Sequence, residues 1–109
     1  MAAVKKEKYD RDDIRLARVA KALSHPARIV ILRHLAEMNA CFFNEISKKV
    51  PLAGSTVSQH MHELKNAGLV QSSYEPPKIK YCIDTDTWKL ARKQFKEFMK
   101  ITAPHSDKK

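Results

Sequence analysis

The sequence predicts a mainly α-helical domain with one small β-hairpin. Apolar residues recur every three or four positions through most of the chain, which is the spacing of one face of a helix. Between residues 69 and 83, two short strand-like runs flank Glu75-Pro76-Pro77-Lys78, and two prolines cannot continue a strand ladder. The 109 residues suit one domain. We expect residues 10–102 to fold, and the basic residues 1–9 and the tail 103–109 to be disordered.

The charge balance of the chain is strongly basic. Lys and Arg number 21 against 12 Asp and Glu, and the net charge of +9 favours nucleic acid or an acidic surface as partner. Cys41 and Cys82 are the only cysteines, and the first ten residues lack the apolar core of a secretory signal. We therefore expect a cytoplasmic protein with free thiols. No apolar run approaches the roughly 20 residues of a membrane span, so no membrane partner is expected.

Helical spacing predicts the first two elements. The first helix covers about residues 11–22 and begins with a cluster of aspartates, which the positive end of the helix dipole favours. Ser24-His25-Pro26 interrupts the pattern, because Pro26 suits the first position of a new helix and Ser24 or His25 can cap it. The second helix runs to about residue 37. It should bury Ile29, Leu32, Leu35 and Ala36.

The centre of the chain has the pattern of a helix-turn-helix. A short helix over about 43–49, with Phe43 and Ile46 inward, is closed by Pro51 and followed by a tight connector. The amphipathic segment from Ser55 to Leu69 comes next, and Gly68 can end its helix in a left-handed conformation. A short helix, a connector and an amphipathic helix form the unit whose second helix enters the major groove of DNA.

The amphipathic helix has two different sides. Val57, Met61 and Leu64 form the apolar side, with His60 and Ala67 at its edge. The polar side carries groups that hydrogen-bond bases and phosphates, and it has no carboxylate because Glu63 lies on the flank. Its residues are Ser55, Ser58, Gln59, His62, Lys65 and Asn66. An ordinary solvated helix face is the alternative interpretation.

The last third of the chain predicts a hairpin and a helix. Residues 69–74 and 79–83 should form two strands, with Lys78 and Lys80 at the tip and on the return arm. The turn lacks Gly and Asn, so we expect a loose or extended tip. The final helix should begin near Asp84 or Asp86 and run to about Thr102. Its apolar stripe contains Trp88, Ala91, Phe95, Phe98 and Met99.

Three segments resemble the ArsR/SmtB family of bacterial winged-helix repressors. They are Ala22–Arg28 (ALSHPAR), Ser55–Met61 (STVSQHM) and Leu64–Val70 (LKNAGLV), and the resemblance covers roughly Leu16 to Met99. It implies a winged helix-turn-helix with four helices, two strands and a fifth helix. It also implies a homodimer joined through the first and last helices, which binds an inverted repeat in operator DNA.

The residues and the resemblance together give two sets of candidate sites. The DNA-binding set is Ser55, Thr56, Ser58, Gln59, His62, Lys65, Lys78 and Lys80. The dimer-interface set is Leu16, Val19, Leu23, Trp88, Ala91, Phe95, Phe98 and Met99. Some roles stay open. The first three hydroxyls could instead cap the helix, and the aromatic residues of the last helix could instead line a small-molecule pocket. We expect His60 to be a histidine at the edge of the core and Arg28 to support the second helix rather than bind phosphate.

The resemblance also implies two usual metal sites, and both look absent from this sequence. When the sequence is aligned with the family on Glu45-Ile46, the positions of the first site fall on Phe42 and Asn44. Those of the second fall on Thr85, Thr87, Phe98 and Ile101, and a one-residue slip offers Asp84, Asp86, Glu97 and Lys100. Phe and Asn are not soft ligands, and a charged Lys cannot ligate. We therefore expect no metal site and no cofactor, and the effector is not identified.

The two cysteines are the remaining soft groups. Cys41 is predicted at a helix start, where the dipole can lower the pKa of a thiol, and Cys82 lies on the return strand. They are a possible thiol sensor, and small buried apolar residues are the alternative. No catalytic set or phosphate loop is present, so we do not expect an enzyme. The rival function is a protein-interaction module that kept this fold and lost DNA binding.

Overall fold

Five helices and a three-stranded sheet form the part of the chain that the computed structural model describes, residues 8–101. The predicted disorder of the two ends falls almost entirely on residues outside this range. The helices are α1 (Arg11–Ala22), α2 (Pro26–Met38), α3 (Phe43–Ser47), α4 (Gly54–Asn66) and α5 (Thr85–Phe98). The strands are β1 (Cys41–Phe42), β2 (Val70–Glu75) and β3 (Lys78–Ile83), and their order in the sheet is β1-β3-β2. The predicted mainly α fold with a small hairpin is confirmed.

Side chains cap three of the helices. The Asp10 carboxylate accepts a hydrogen bond from the amide of Asp12 at 3.1 Å and begins α1. His25, rather than Ser24, caps α2, because its Nδ1 accepts from the amide of Ala27 at 3.0 Å. Asp84, rather than Asp86, caps α5. Each cap satisfies an amide that has no partner inside its own helix.

The core lies between α2, α4 and the inner face of the sheet. Its largest fully buried side chains come from α2, α3 and α4 and from Leu69, which lies between α4 and β2. They are Ile31, Leu35, Ile46, Val57, Met61, Leu64 and Leu69. The predicted inward face of α2 is partly wrong, since Ile31 and Ala27 are buried while Ile29 is half-buried and Ala36 is exposed. Apolar residues lie on several sides of α2, so spacing alone did not fix which side faces the core.

The sheet differs from the predicted two-stranded hairpin in two respects. β1 adds a third strand, with Cys41 opposite Tyr81 and Phe42 opposite Lys80. The predicted loose tip is also wrong, because β2 and β3 remain paired up to Glu75 and Lys78 and only two residues form the turn. Pro76 and Pro77 occupy those two positions, where no ladder hydrogen bond requires an amide.

The last helix ends earlier than the sequence predicted. α5 stops at Phe98, and the amides of Lys100 and Ile101 bond back to carbonyls only three residues earlier. α1 packs against α5 across the side of the domain. No helix in residues 8–101 is long and apolar enough to cross a membrane.

Candidate nucleic-acid interface

The two sides of α4 separate as the sequence predicted. Val57, Met61 and Leu64 have no exposed surface. The polar set on the opposite side is exposed throughout, namely Ser55, Ser58, Gln59, His62, Lys65 and Asn66. Glu63 is half-buried at the flank, so no carboxylate lies within this exposed set. The helix therefore presents hydroxyl, amide and imidazole groups and one ammonium to solvent, while its other side anchors it in the core.

The start of α4 differs from the prediction that Ser55 could cap it. Ala53 is the N-cap residue and provides no side-chain hydrogen bond. Ser55 lies inside the first turn with an exposed hydroxyl, and Thr56 is half-buried. Neither residue is the cap, and their role as phosphate ligands stays a prediction. The amide end of a helix favours anions, which supports that role.

His60 lies at the edge of the core, as predicted, and it contacts His25 and Arg28 there. It is 7% exposed, and its Nδ1 accepts a hydrogen bond from Nε of Arg28 at 3.0 Å. Its ring centroid is 4.4 Å from that of His25. Burial, followed by the nearby His25 and the Arg28 guanidinium, lowers the pKa of His60. The imidazole is thus held neutral as a hydrogen-bond acceptor.

Arg28 joins α1, α2 and α4. Besides His60, it donates through Nη1 to the carbonyl oxygens of Lys21 at 3.2 Å and Ala22 at 3.4 Å. These carbonyls belong to the last turn of α1, where carbonyl groups have no i+4 amide within the helix. The Lys21 carbonyl also accepts from the Ser24 hydroxyl at 2.6 Å. The contacts support the structural role predicted for Arg28.

The exit from α4 fixes the start of the hairpin. Gly68 has a φ of 79°, and its amide bonds to the carbonyl of Lys65 at 2.9 Å. The amide of Leu69 bonds to the carbonyl of Leu64 at 3.1 Å, and the Leu69 side chain is fully buried. This pair of bonds is the Schellman arrangement, which needs a left-handed residue at the position of the glycine.

The hairpin, which we call the wing (residues 70–83), carries the two predicted lysines. Lys78 is exposed, and Lys80 is half-buried. Nζ of Lys80 lies 3.7 Å from a carboxylate oxygen of Glu75 on the neighbouring strand. Nζ of Lys65 donates to the Ser72 hydroxyl at 2.7 Å, which links α4 to the wing. Lys80 and Lys65 therefore have polar partners within the chain, and contact with DNA must compete with these or include them.

The prediction that Cys41 begins a helix with a lowered thiol pKa is wrong. Cys41 lies in β1 and is 3% exposed, and its Sγ is 3.3 Å from Nε2 of His34 and 3.3 Å from a carboxylate oxygen of Glu45. Burial, followed by the hydrogen bond to Glu45, raises the pKa of the Cys41 thiol. A raised pKa lowers the thiolate fraction and burial restricts access to the sulfur, so neither feature favours a sensor role for Cys41, which stays a prediction.

The two cysteines lie on opposite faces of the sheet. Cys41 is paired with Tyr81, and paired side chains point to the same face. Cys82 follows Tyr81 directly and therefore points to the other face, where it is half-buried. The sheet separates the two sulfur atoms.

The predicted dimer-interface set divides into three groups by exposure. Val19 and Ala91 are already buried inside the single chain, where α1 meets α5. Phe98 and Met99 are 51% and 73% exposed. The half-buried members are Leu16, Leu23, Trp88 and Phe95. Within this set, the exposed apolar side chains lie at the end of α5.

The positions of the family's metal ligands carry no cluster of ligands in this structure. Within residues 8–101, no group of three or more His, Cys, Asp or Glu side chains could hold a metal ion. Phe42 is in β1, Asn44 is exposed on α3, and Thr85 and Thr87 are in the first turn of α5.

Sequence reasoning missed three residues that act on the candidate interface. Phe42 lies under both wing lysines, Ser72 holds Lys65, and Glu75 pairs with Lys80. The position of Glu75 could have been found from the sequence. In a tight hairpin it lies on the strand opposite Lys78, close to both wing lysines. The contact of Phe42 depends on a strand of two residues, which leaves no periodicity in the sequence.

Comparison with known proteins gives a consistent result. Residues 25–72 match the model of a family described as bacterial regulatory protein, arsR family. The chain is 31% identical over 70 residues to the HTH-type transcriptional regulator YgaV of Escherichia coli, covering 64% of this chain and 71% of that protein. It is 34% identical over 68 residues to the HTH-type transcriptional regulator CmtR of Mycobacterium tuberculosis, covering 62% of this chain and 57% of that protein. Among solved structures, HlyU from Vibrio cholerae superposes with a TM-score of 0.67 at 23% identity, covering 84% and 99% of the two chains.

Proposed function

Because this chain belongs to the ArsR family, whose members are DNA-binding transcriptional regulators and not enzymes, we propose that it is a homodimeric repressor of an inverted-repeat operator. In this proposal α4 reads base edges in the major groove, and the wing contacts the flanking backbone. The single observation that supports it most is the exposed side of α4. That side combines hydroxyl, amide and imidazole groups, contains no carboxylate, and belongs to a chain with a net charge of +9.

The chemistry of the exposed side suits DNA. The amide of Gln59 can pair with two atoms of adenine, and the imidazole of His62 can bond to a base edge or a phosphate. Lys65, Lys78 and Lys80 supply positive charge, which gives binding that weakens as salt rises. Ser55, Thr56 and Ser58 can reach phosphate from the first turns of the helix.

The dimer is supported by the exposed apolar end of α5. Phe98 and Met99 project from a helix that is already packed on α1, and a folded monomer gains nothing by leaving them in water. A second copy related by a two-fold axis would cover them and would place two α4 helices on two half-sites.

We further propose that the protein does not use the family's two usual metal sites for regulation. Phe42 and Asn44 at the first site offer no thiolate, imidazole or carboxylate. The same holds at the second site for Thr85, Thr87, Phe98 and Ile101. A one-residue slip offers Asp84, Asp86 and Glu97 but also includes Lys100, which cannot ligate while it is charged. DNA affinity should then be indifferent to zinc and to a chelator. Release of DNA by stoichiometric zinc would contradict this part of the proposal.

Fluorescence anisotropy with the promoter of the protein's own gene tests the DNA interface. Gln59→Ala and His62→Ala should each weaken specific binding by about 1–3 kcal/mol if the contact is bidentate. Gln59→Ala should leave binding to scrambled DNA unchanged, and so should His62→Ala if its imidazole contacts a base edge rather than a phosphate. Lys78→Ala should weaken binding to all sequences and lower the salt slope by about one unit. Lys89→Ala is the matched control, since it removes the same charge from an exposed position on α5.

Two outcomes would contradict the interface. If the combined Gln59→Ala/His62→Ala variant binds the operator as well as the parent does, α4 does not read the groove. If the parent binds neither the promoter nor scrambled DNA at low salt, the protein is better described as a protein-interaction module.

A further inference from the structure

Phe42 is an aromatic residue on the outer face of the sheet. The buried residues Cys41 and Tyr81 are paired and mark the core face. Phe42 and Lys80 are the next pair, so they point to the opposite face, and Lys78 lies there too because it is two residues from Lys80. The Phe42 ring is half-buried and is not part of the hydrophobic core. Packing of the core therefore does not explain why an aromatic residue lies here.

The ring contacts both wing lysines. Nζ of Lys78 is 5.2 Å from the ring centroid, and Nζ of Lys80 is 5.9 Å from it. An ammonium group within about 6 Å of an aromatic centroid is attracted by the negative face of the ring. Glu75 holds Lys80 from the neighbouring strand, with 3.7 Å between the charged atoms. Two flexible cationic side chains are thus gathered on one ring.

We propose that Phe42 is the positioning residue of the wing, which holds the ammonium groups of Lys78 and Lys80 side by side for contact with the DNA backbone. This inference rests on the proposed DNA-binding function and adds to it a residue outside both α4 and the wing. A lysine side chain that moves freely on the protein surface loses conformational entropy when it binds phosphate. A side chain that is already held in place loses less entropy on binding. The ring covers only one side of each ammonium. Each ammonium has three N–H donors, and those that point away from the ring can still bond to phosphate oxygens.

The contact can be tested without DNA. In NMR spectra of the free protein, the ring current of Phe42 should move the ε-methylene signals of Lys78 and Lys80 upfield of their random-coil positions. Phe42→Leu should abolish the shift while keeping an apolar side chain, and Phe42→Tyr should retain it. Random-coil positions for both lysines in the parent would overturn the proposal.

DNA binding tests the consequence of the contact. Phe42→Leu should weaken binding about two- to fivefold, which corresponds to an exposed cation–π contact. Its salt slope should stay that of the parent, because the same lysines still reach the phosphates, whereas Lys78→Ala should lower the slope by about one unit. Phe42→Tyr should restore the affinity of the parent. Thermal unfolding of each variant separates these effects from loss of the fold.

A double-variant comparison decides whether Phe42 acts through the lysines. In a Lys78→Ala/Lys80→Ala background, Phe42→Leu should cause no further loss of affinity. An equal loss in that background would overturn the positioning role. If the parent binds no DNA at all, the proposed function fails and the DNA part of this inference fails with it. The NMR shifts would still report the ring contact, so the two failures can be told apart.

Discussion

The hydrogen bond between Arg28 and His60 should make the stability of the protein depend on pH. His60 is buried and accepts at Nδ1, so a proton at that atom would face the Arg28 guanidinium. The folded pKa of His60 is lowered, chiefly by burial. In the unfolded chain the pKa of the imidazole is about 6.5. Below that value the unfolded state binds more protons than the folded state, so stability is fully present above it and falls as the pH falls towards the folded pKa.

Arg28→Met measures the contribution of the contact. The substitution leaves Nδ1 of a 7% exposed imidazole without its charged donor, which costs about 1.5–3 kcal/mol. It also removes the donors to the carbonyls of Lys21 and Ala22 at the exposed end of α1, which adds about 1 kcal/mol. The expected loss is therefore roughly 2.5–4 kcal/mol. The pH dependence should become shallower as well, because one of the charges that lower the pKa of His60 is gone.

Urea unfolding followed by circular dichroism is the appropriate assay. The protein concentration must be fixed, because the stability of a dimer depends on it. The parent, Arg28→Met and His60→Asn should be compared at about pH 7.5 and about pH 5.5, on either side of the usual histidine value. His62→Asn is the matched control, since it removes an exposed imidazole from the same helix and should keep the pH dependence of the parent. The reasoning would be refuted by equal unfolding free energies of the parent at both pH values, or by a loss below about 0.5 kcal/mol in Arg28→Met.

Three further predictions concern assembly, the exit from α4 and the thiols. Trp88→Ala or Phe95→Ala should destabilise the dimer by up to about 3 kcal/mol and favour monomer in sedimentation; a parent that is monomeric at micromolar concentration would contradict the dimer. Gly68→Ala should cost about 1 kcal/mol in urea unfolding, because its φ of 79° suits glycine; a neutral effect would contradict that cause. Iodoacetamide should alkylate Cys82 faster than Cys41, because the Cys41 thiol is buried with a raised pKa; equal rates by peptide mass spectrometry would contradict this.

The features that the sequence predicted well are those with a long local pattern. The 13 residues of α4 complete more than three helical turns, so the buried and exposed sides could be separated by spacing alone. The edge position of His60 and the left-handed Gly68 followed from the same helix. The DNA-contact roles of its exposed residues stay predictions, since they depend on a partner molecule.

The features that the sequence did not predict depend on contacts between distant residues. β1 has two residues, too few for an alternating pattern, and it forms only because β3 lies beside it 38 or more positions later in the chain. The surroundings of Cys41 follow from that pairing and from His34 on α2. The prediction that a helix start lowers the pKa of the Cys41 thiol was therefore wrong. The tight turn at Pro76 and Pro77 likewise depends on the pairing of Glu75 with Lys78.

The strand order β1-β3-β2 has a consequence for how such a regulator can release DNA. β3 is hydrogen-bonded on both sides, so the wing cannot tilt without breaking its bonds to the segment between α2 and α3. We therefore expect each protomer of the proposed dimer to bind its half-site as a rigid unit. A signal that releases DNA should then change the distance between the two protomers. One added base pair moves two half-sites apart by about 3.4 Å and turns them by about a tenth of a helical turn. For the dimer proposed above, the length of the spacer between the two half-sites should therefore decide whether both protomers can bind at once.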